Sequence, residues 1–164
     1  MSKQAQPSVT TRPKMDGYGV PQSSEGTLPW DWAVERFSGS HNYWLTTVRP
    51  DGAPHVMPVW GVWLDGAWYF STSATSRKSR NLERNSRCVV CNENCEEAVI
   101  LEGTARRLND VDIPKQAFAD YQAKYEWELD PKRGPVWRVT PQAVFAMPEQ
   151  QFPQAVTKWI FAGQ

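Results

Sequence analysis

Two β-rich runs joined by a bare Asp-Gly constrain this chain more than any other feature. Residues 53–63 (APHVMPVWGVW) and 67–73 (AWYFSTS) flank Leu64, Asp65 and Gly66. Asp-Gly accepts the positive φ angles of a tight hairpin turn, whose twist matches that of paired antiparallel strands. Residues 42–49 (NYWLTTVR) lead into the hairpin through Pro50-Asp51-Gly52, a second turn signal. Further strands are expected at 87–92, 97–107, 135–146 and about 155–161. Short helices are expected at 29–37, 76–85 and near 112–126. The 29–37 helix (PWDWAVERF) has Pro29 at its start and Ser38-Gly39 at its end. Six or seven strands with short turns, few helices, no βαβ rhythm and no internal repeat predict a mainly β fold, an antiparallel barrel.

Domain organisation follows from composition. The 164 residues suit one domain with a sizeable core. Residues 1–28 are polar, rich in Ser, Pro, Gly and Gln, and lack apolar periodicity, which predicts a flexible N-terminal arm before a domain at 29–164. The glycines of DGYGVP (16–21) follow no strand and so do not form a dinucleotide loop. Lys+Arg and Asp+Glu number 18 each, so no global charge draws the chain to nucleic acid or to a membrane surface. No apolar run reaches the ~20 residues needed to span a bilayer, and no signal-peptide pattern opens the chain. Three cysteines, an odd number, point to a reducing cytoplasm. Cys88 and Cys91 lie three apart on an expected strand, so their side chains point to opposite faces. With only two histidines to complete a set, free thiols are expected rather than a metal site.

Two stretches depart from ordinary patterning. In 53–63, Pro58 has no N–H for a ladder and Gly61 adds nothing to packing. They predict either an edge strand with a bulge or a strand facing a ligand or another chain. In STSATSRKSRNL (71–82), the start of a helix gathers Arg77, Lys78 and Arg80 with no acid before Glu83. Cations oppose the positive end of the helix dipole, so another interaction must offset them. Hydroxyls on Ser71, Thr72, Ser73, Thr75 and Ser76, the free N–H groups of the first turn and the Arg77–Lys78 pair together suit a phosphate group. Arg77 would grip it as a planar fork and Lys78 as a point charge. A solvated basic face, partly offset by Glu83, Glu93 or Glu96, is the plainer alternative.

The runs TVRPDGAPHVMPV (47–59), DGAWYFSTS (65–73), SRKSRNL (76–82) and LEGTARRL (101–108), in this order and spacing, resemble the pyridoxamine 5′-phosphate oxidase-like split barrels that bind flavins, over roughly residues 30–161. The resemblance implies a homodimeric antiparallel split β-barrel with a cofactor at each end of the subunit interface. It puts the phosphate on Arg77 and Lys78, with hydroxyl contacts from Ser71, Thr72 and Ser76. The flavin ring would lie along Met57, Pro58, Val59, Trp60, Gly61 and Val62. Trp159, near the C-terminus, is expected to stack near the ring. The implied activity is hydride transfer between FMN and a small molecule. F420 is the alternative cofactor, its acidic tail met by Arg80, Arg84, Arg87, Arg106, Arg107 and Lys158. A flavin- or haem-binding carrier without turnover and a dimer that has lost its ligand are the non-enzymatic alternatives.

The chain also departs from the vitamin-processing oxidase. Val62 stands where that enzyme uses a Lys, Ala98 where a Gln touches FMN, and TKWIFAGQ lacks the C-terminal Arg and His. Pyridoxal phosphate synthesis is therefore not the expected reaction. No Ser-His-Asp or Cys-His set can be assembled, and His55 is expected to be a satisfied barrel residue, a proton-transfer role being the alternative.

Overall fold

The computed structural model describes residues 6–162. The first five residues of the expected arm and the last two of the chain lie outside the described residues. Nine strands form one antiparallel sheet whose main path runs β1 (Val9–Thr11), β9 (Thr157–Ile160), β8 (Val136–Pro148), β7 (Glu97–Arg107), β6 (Arg87–Asn92), β2 (Tyr43–Val48), β3 (Pro54–Val59). Off this path, β5 (Ala67–Ser71) pairs with both β4 (Val62–Leu64) and β8. The long β8 makes this branching possible. Its first residues, Val136–Val139, pair with β5, and Ala143–Ala146 pair with β9, while β7 runs along its whole length. A bulge between Glu102 and Gly103 bends the β7–β8 ladder. The sheet does not close, so the barrel is split and β3 is an edge.

The Asp-Gly hairpin is present, with Asp65 and Gly66 at φ 51° and 77° and β4 and β5 as its arms. The expected strand 53–63, however, is two strands. β3 ends at Val59, and β4 starts at Val62 and pairs with a different partner. The break falls at Gly61, where a Cβ would overlap the Trp68 indole. Pro58 sits opposite Trp44 on the edge strand, in a register that runs unbroken from Tyr43–Val59 to Val48–Pro54. An edge position removes the need for the missing N–H, and no bulge is required.

Two apolar clusters hold these elements. Inside the barrel, Tyr43, Leu45, Trp68, Phe70, Val90, Leu101, Val139 and Trp159 pack under α1 (Trp30–Gly39), which turns Trp30, Ala33 and Phe37 inward. On the outer side of β4 and β5, α3 (Lys115–Tyr125) lays Ala117, Tyr121 and Tyr125 against Val62, Tyr69 and Val136. Trp68 and Phe70 thus belong to one cluster and Tyr69 to the other, which explains why β5 is apolar on both faces. Helix α2 (Arg77–Arg84) buries Ser79, Asn81 and Leu82 and leaves its arginines outside.

The expected arm contains an element that composition did not foretell. β1 pairs with β9 in register Val9–Ile160 to Thr11–Lys158. Next to it, the Arg12 guanidinium donates to the carbonyls of Ser23, Glu25, Gln154 and Val156. Three strand residues and one arginine leave no periodic trace in a sequence.

Candidate functional site

The start of α2 is built by hydroxyls. Ser76 caps the helix, its Oγ accepting from the Ser79 N–H at 3.2 Å, and Thr72 Oγ1 donates to the same oxygen at 3.2 Å. The Ser76 proton has no acceptor among the described residues and stays free to point outward. Ser71 and Thr72 do not share that freedom. Ser71 Oγ faces the carbonyls of Gly134 and Pro135 at 3.3 and 3.2 Å, and Thr72 donates to Ser76. Both therefore hold the loop in shape, and of the three hydroxyls only Ser76 keeps a proton for an outside partner.

Beside this cap lies a group of cations without anions. Arg77 is exposed and Lys78 is half-buried. Burial pushes the Lys78 ammonium below its usual value. Neither residue, nor Arg49 at the end of the β2–β3 turn, forms an ion pair among the described residues. All three act electrostatically on His55 of β3. Burial, then Arg49, Lys78 and Arg77 in turn, hold its imidazole below the ordinary value. His55 sits opposite Thr47, whose Oγ1 accepts from Asn81 Nδ2 of α2 at 2.9 Å. This pairing brings β2, β3 and α2 to one point. The expectation of a satisfied barrel histidine does not hold, because His55 Nδ1 is buried with no hydrogen-bond partner. A half-buried ammonium and two guanidinium groups without anions favour an anion beside them, so the residues present fit a phosphate.

The strand expected to flank a planar ring divides in the same way. Met57, Pro58 and Trp60 are exposed on or just past the β3 edge, and Val59 is buried beneath. Gly61 and Val62 are buried and lie away from that edge. Gly61 does meet a close neighbour, but that neighbour is the Trp68 ring rather than a ligand. Its peptide is clamped from α3. The Gly61 N–H donates to Tyr125 Oη at 2.9 Å, and its carbonyl accepts from Lys124 Nζ at 3.1 Å. Trp60 stacks on Tyr125 with ring centroids 4.7 Å apart and planes 11° from parallel. Trp159 does not join the group. It is fully buried in the barrel, 5.4 Å from the Trp30 ring, and presents no open face.

Sequence reading missed Arg49 and Lys124. Arg49 stood in a turn signal. Lys124 stood in an ordinary helix. Lys124 Nζ also donates to Tyr43 Oη at 2.8 Å and to the Ser38 carbonyl at 3.3 Å, at the negative end of α1. Burial holds its ammonium down to about 8, opposed by the Glu93 carboxylate. Of the basic residues considered for an acidic tail, Arg107 is paired with Glu83 at 3.5 Å, and Lys158 lies over the Phe145 ring at 5.2 Å. Burial raises the Cys88 and Cys91 thiols to about 12 and about 11, so neither is a nucleophilic thiolate at neutral pH. Among the described residues no helix is long and apolar enough to cross a membrane.

Comparisons with known proteins agree with this architecture. The family model for pyridoxamine 5′-phosphate oxidase matches residues 31–148. Rv2991 from Mycobacterium tuberculosis superposes with a TM-score of 0.65 at 18% identity, over 88% of this chain and 98% of that one. An F420 reductase aligns with a TM-score of 0.58 at 21% identity, over 71% and 98% of the two chains. A heme binding protein from Mycobacterium smegmatis aligns with a TM-score of 0.62 at 22% identity, over 74% of this chain and 55% of that one. Likeness at these identities speaks for the fold alone. No curated protein sequence matches significantly. A split antiparallel barrel with this strand order, matched by the family model over most of its length, makes the chain a member of the pyridoxamine 5′-phosphate oxidase family.

Proposed function

We propose that this chain is an oxidoreductase that holds FMN at the start of α2 and along the β3 edge, and exchanges hydride with a small molecule. The observation that carries this reading is the cluster of Arg49, Arg77 and Lys78 beside the Ser76 cap, none of which forms an ion pair with a carboxylate among the described residues. Ser76 would donate its free proton to a phosphate oxygen, Arg77 would bind two oxygens as a fork, and Lys78 would supply a nearby charge. The edge of β3 facing away from β2 offers unpaired backbone groups, with Met57 beside them on the His55 face, to a planar ring. The isoalloxazine supplies the redox chemistry when bound, and the protein supplies position and field. FMN is favoured over F420 because the phosphate cluster is compact, whereas the residues for an acidic tail are partly engaged elsewhere.

A homodimer belongs to the same proposal. Trp44 and Val56 are 46% and 51% exposed, and with Pro58 they share one face of the β2–β3 edge. Apolar side chains gathered at an open sheet edge are what a second subunit covers. Titration with FMN and with F420 at fixed salt, followed by flavin fluorescence, tests the cofactor assignment. The chain should bind FMN, and R77A/K78A should bind it roughly a hundredfold or more weakly, since each charge-assisted contact is worth about 1.5–3 kcal/mol. Equal affinity of the two proteins for FMN would remove the phosphate assignment. Binding of F420 alone would select the deazaflavin.

A further inference from the structure

His55 occupies an unusual place for a titratable group. It lies on the edge strand, opposite Thr47, and feels the charges of Arg49 from the β2–β3 turn and of Arg77 and Lys78 from α2. No carboxylate among the described residues acts on it. Its Nδ1 is buried and has no partner. Charging the ring would put an N–H on that nitrogen without an acceptor, next to three positive groups. Both effects keep the ring neutral while the cations stand alone.

Resting on the FMN reading above, we propose that His55 is a proton-linked member of the phosphate site, which holds a proton more weakly while the site is empty and more firmly once a phosphate dianion lies among Arg49, Arg77 and Lys78. A dianion cancels most of the field of the three cations at the ring and adds its own attraction for a proton. The ring then takes up protons from solvent as the ligand binds, over the pH range between its free and its bound midpoint. By reciprocity, the charged ring binds the ligand more tightly, tenfold for each unit by which its titration midpoint rises. The phosphate monoester works in the opposite direction. Its second ionisation lies near 6, and cations favour the dianion, so the ligand itself releases protons on binding. Proton uptake therefore belongs to the protein and not to FMN. The physical consequence is a site that holds its cofactor more firmly on the acidic side of neutrality than three fixed charges alone would.

The chain contains only two histidines, His41 and His55, which makes the test direct. Imidazole carbon resonances are followed against pH in the free protein, with saturating FMN and with saturating riboflavin, which lacks the phosphate. His55→Gln and, separately, His41→Gln assign the signals. The expected result is a His55 midpoint that rises on adding FMN and stays put on adding riboflavin, with His41 unmoved. Binding of FMN, seen by quenched flavin fluorescence, with no movement of the His55 midpoint would overturn this inference and leave the FMN site standing. Equal movement with riboflavin would also overturn it, because the phosphate would not be the cause. Failure of FMN to bind at any pH would overturn both.

Discussion

Lys124 shows what a single side chain can do that no local pattern announces. Its ammonium sits among Tyr43 Oη and the carbonyls of Ser38 and Gly61, all from residues more than 60 positions away in the chain. The Arg77–Lys78 pair was legible because both charges fall side by side in one helical turn. Arg49 and Lys124 were not, because their meaning depends on what the fold brings beside them. Lys124 also makes a pH prediction. In the folded chain it loses its proton near 8, whereas in the unfolded chain it keeps it to about 10.4. Between those values the unfolded state binds more protons, so this group makes stability rise with pH through that window. Discounted for solvent screening at a part-exposed site, the rise is about 1 kcal/mol. Urea unfolding at pH 7.5 and 9.5 should show the midpoint of K124M falling behind wild type on going to the higher pH. Parallel behaviour of the two proteins would show that Lys124 carries no such linkage.

At the scale of elements, the hairpin, the three helices and the positions along the chain of the strands from β5 onward were readable from turn chemistry and apolar spacing. The division of 53–63 into β3 and β4 was not. It is imposed by partners distant in sequence, the Trp68 indole against Gly61 and the α3 side chains Lys124 and Tyr125 on its peptide. From sequence, Gly61 pointed either to a bulged edge strand or to the close approach of a ligand or another chain. The physical need for a missing Cβ was right, but its cause was the protein's own core. β1 was also invisible, since its three residues pair with β9 beside an Arg12 whose partners, the Gln154 and Val156 carbonyls, lie more than 140 positions away. G61A tests the junction. The added methyl must displace a fully buried indole, at a cost of about 1–3 kcal/mol. A chemical denaturation midpoint unchanged from wild type would refute the close packing.

For the whole molecule, the open edge governs what the barrel can become. β3 ends the sheet, carries the cation-facing His55 on one side and stands with Trp44, Val56 and Pro58 exposed on the other. A second subunit on that apolar face would bury it while leaving the α2 side for a cofactor. Light scattering should therefore return twice the chain mass of 18.7 kDa, and W44D should shift the population toward the single chain. A wild-type mass of one chain at micromolar concentration would exclude the stable dimer. Trp159 teaches the complementary lesson at this scale. Its place near the C-terminus suggested reach into a shared site, but β9 is stitched between β1 and β8, which turns that indole into the barrel.

The most direct test of the account is a crystal structure of the protein grown with FMN. Phosphate oxygens are expected within about 2.7–3.2 Å of Ser76 Oγ, the Arg77 guanidinium and Lys78 Nζ, with the ring along the β3 edge. FMN bound elsewhere, with Arg77 and Lys78 extended into bulk water, would contradict it.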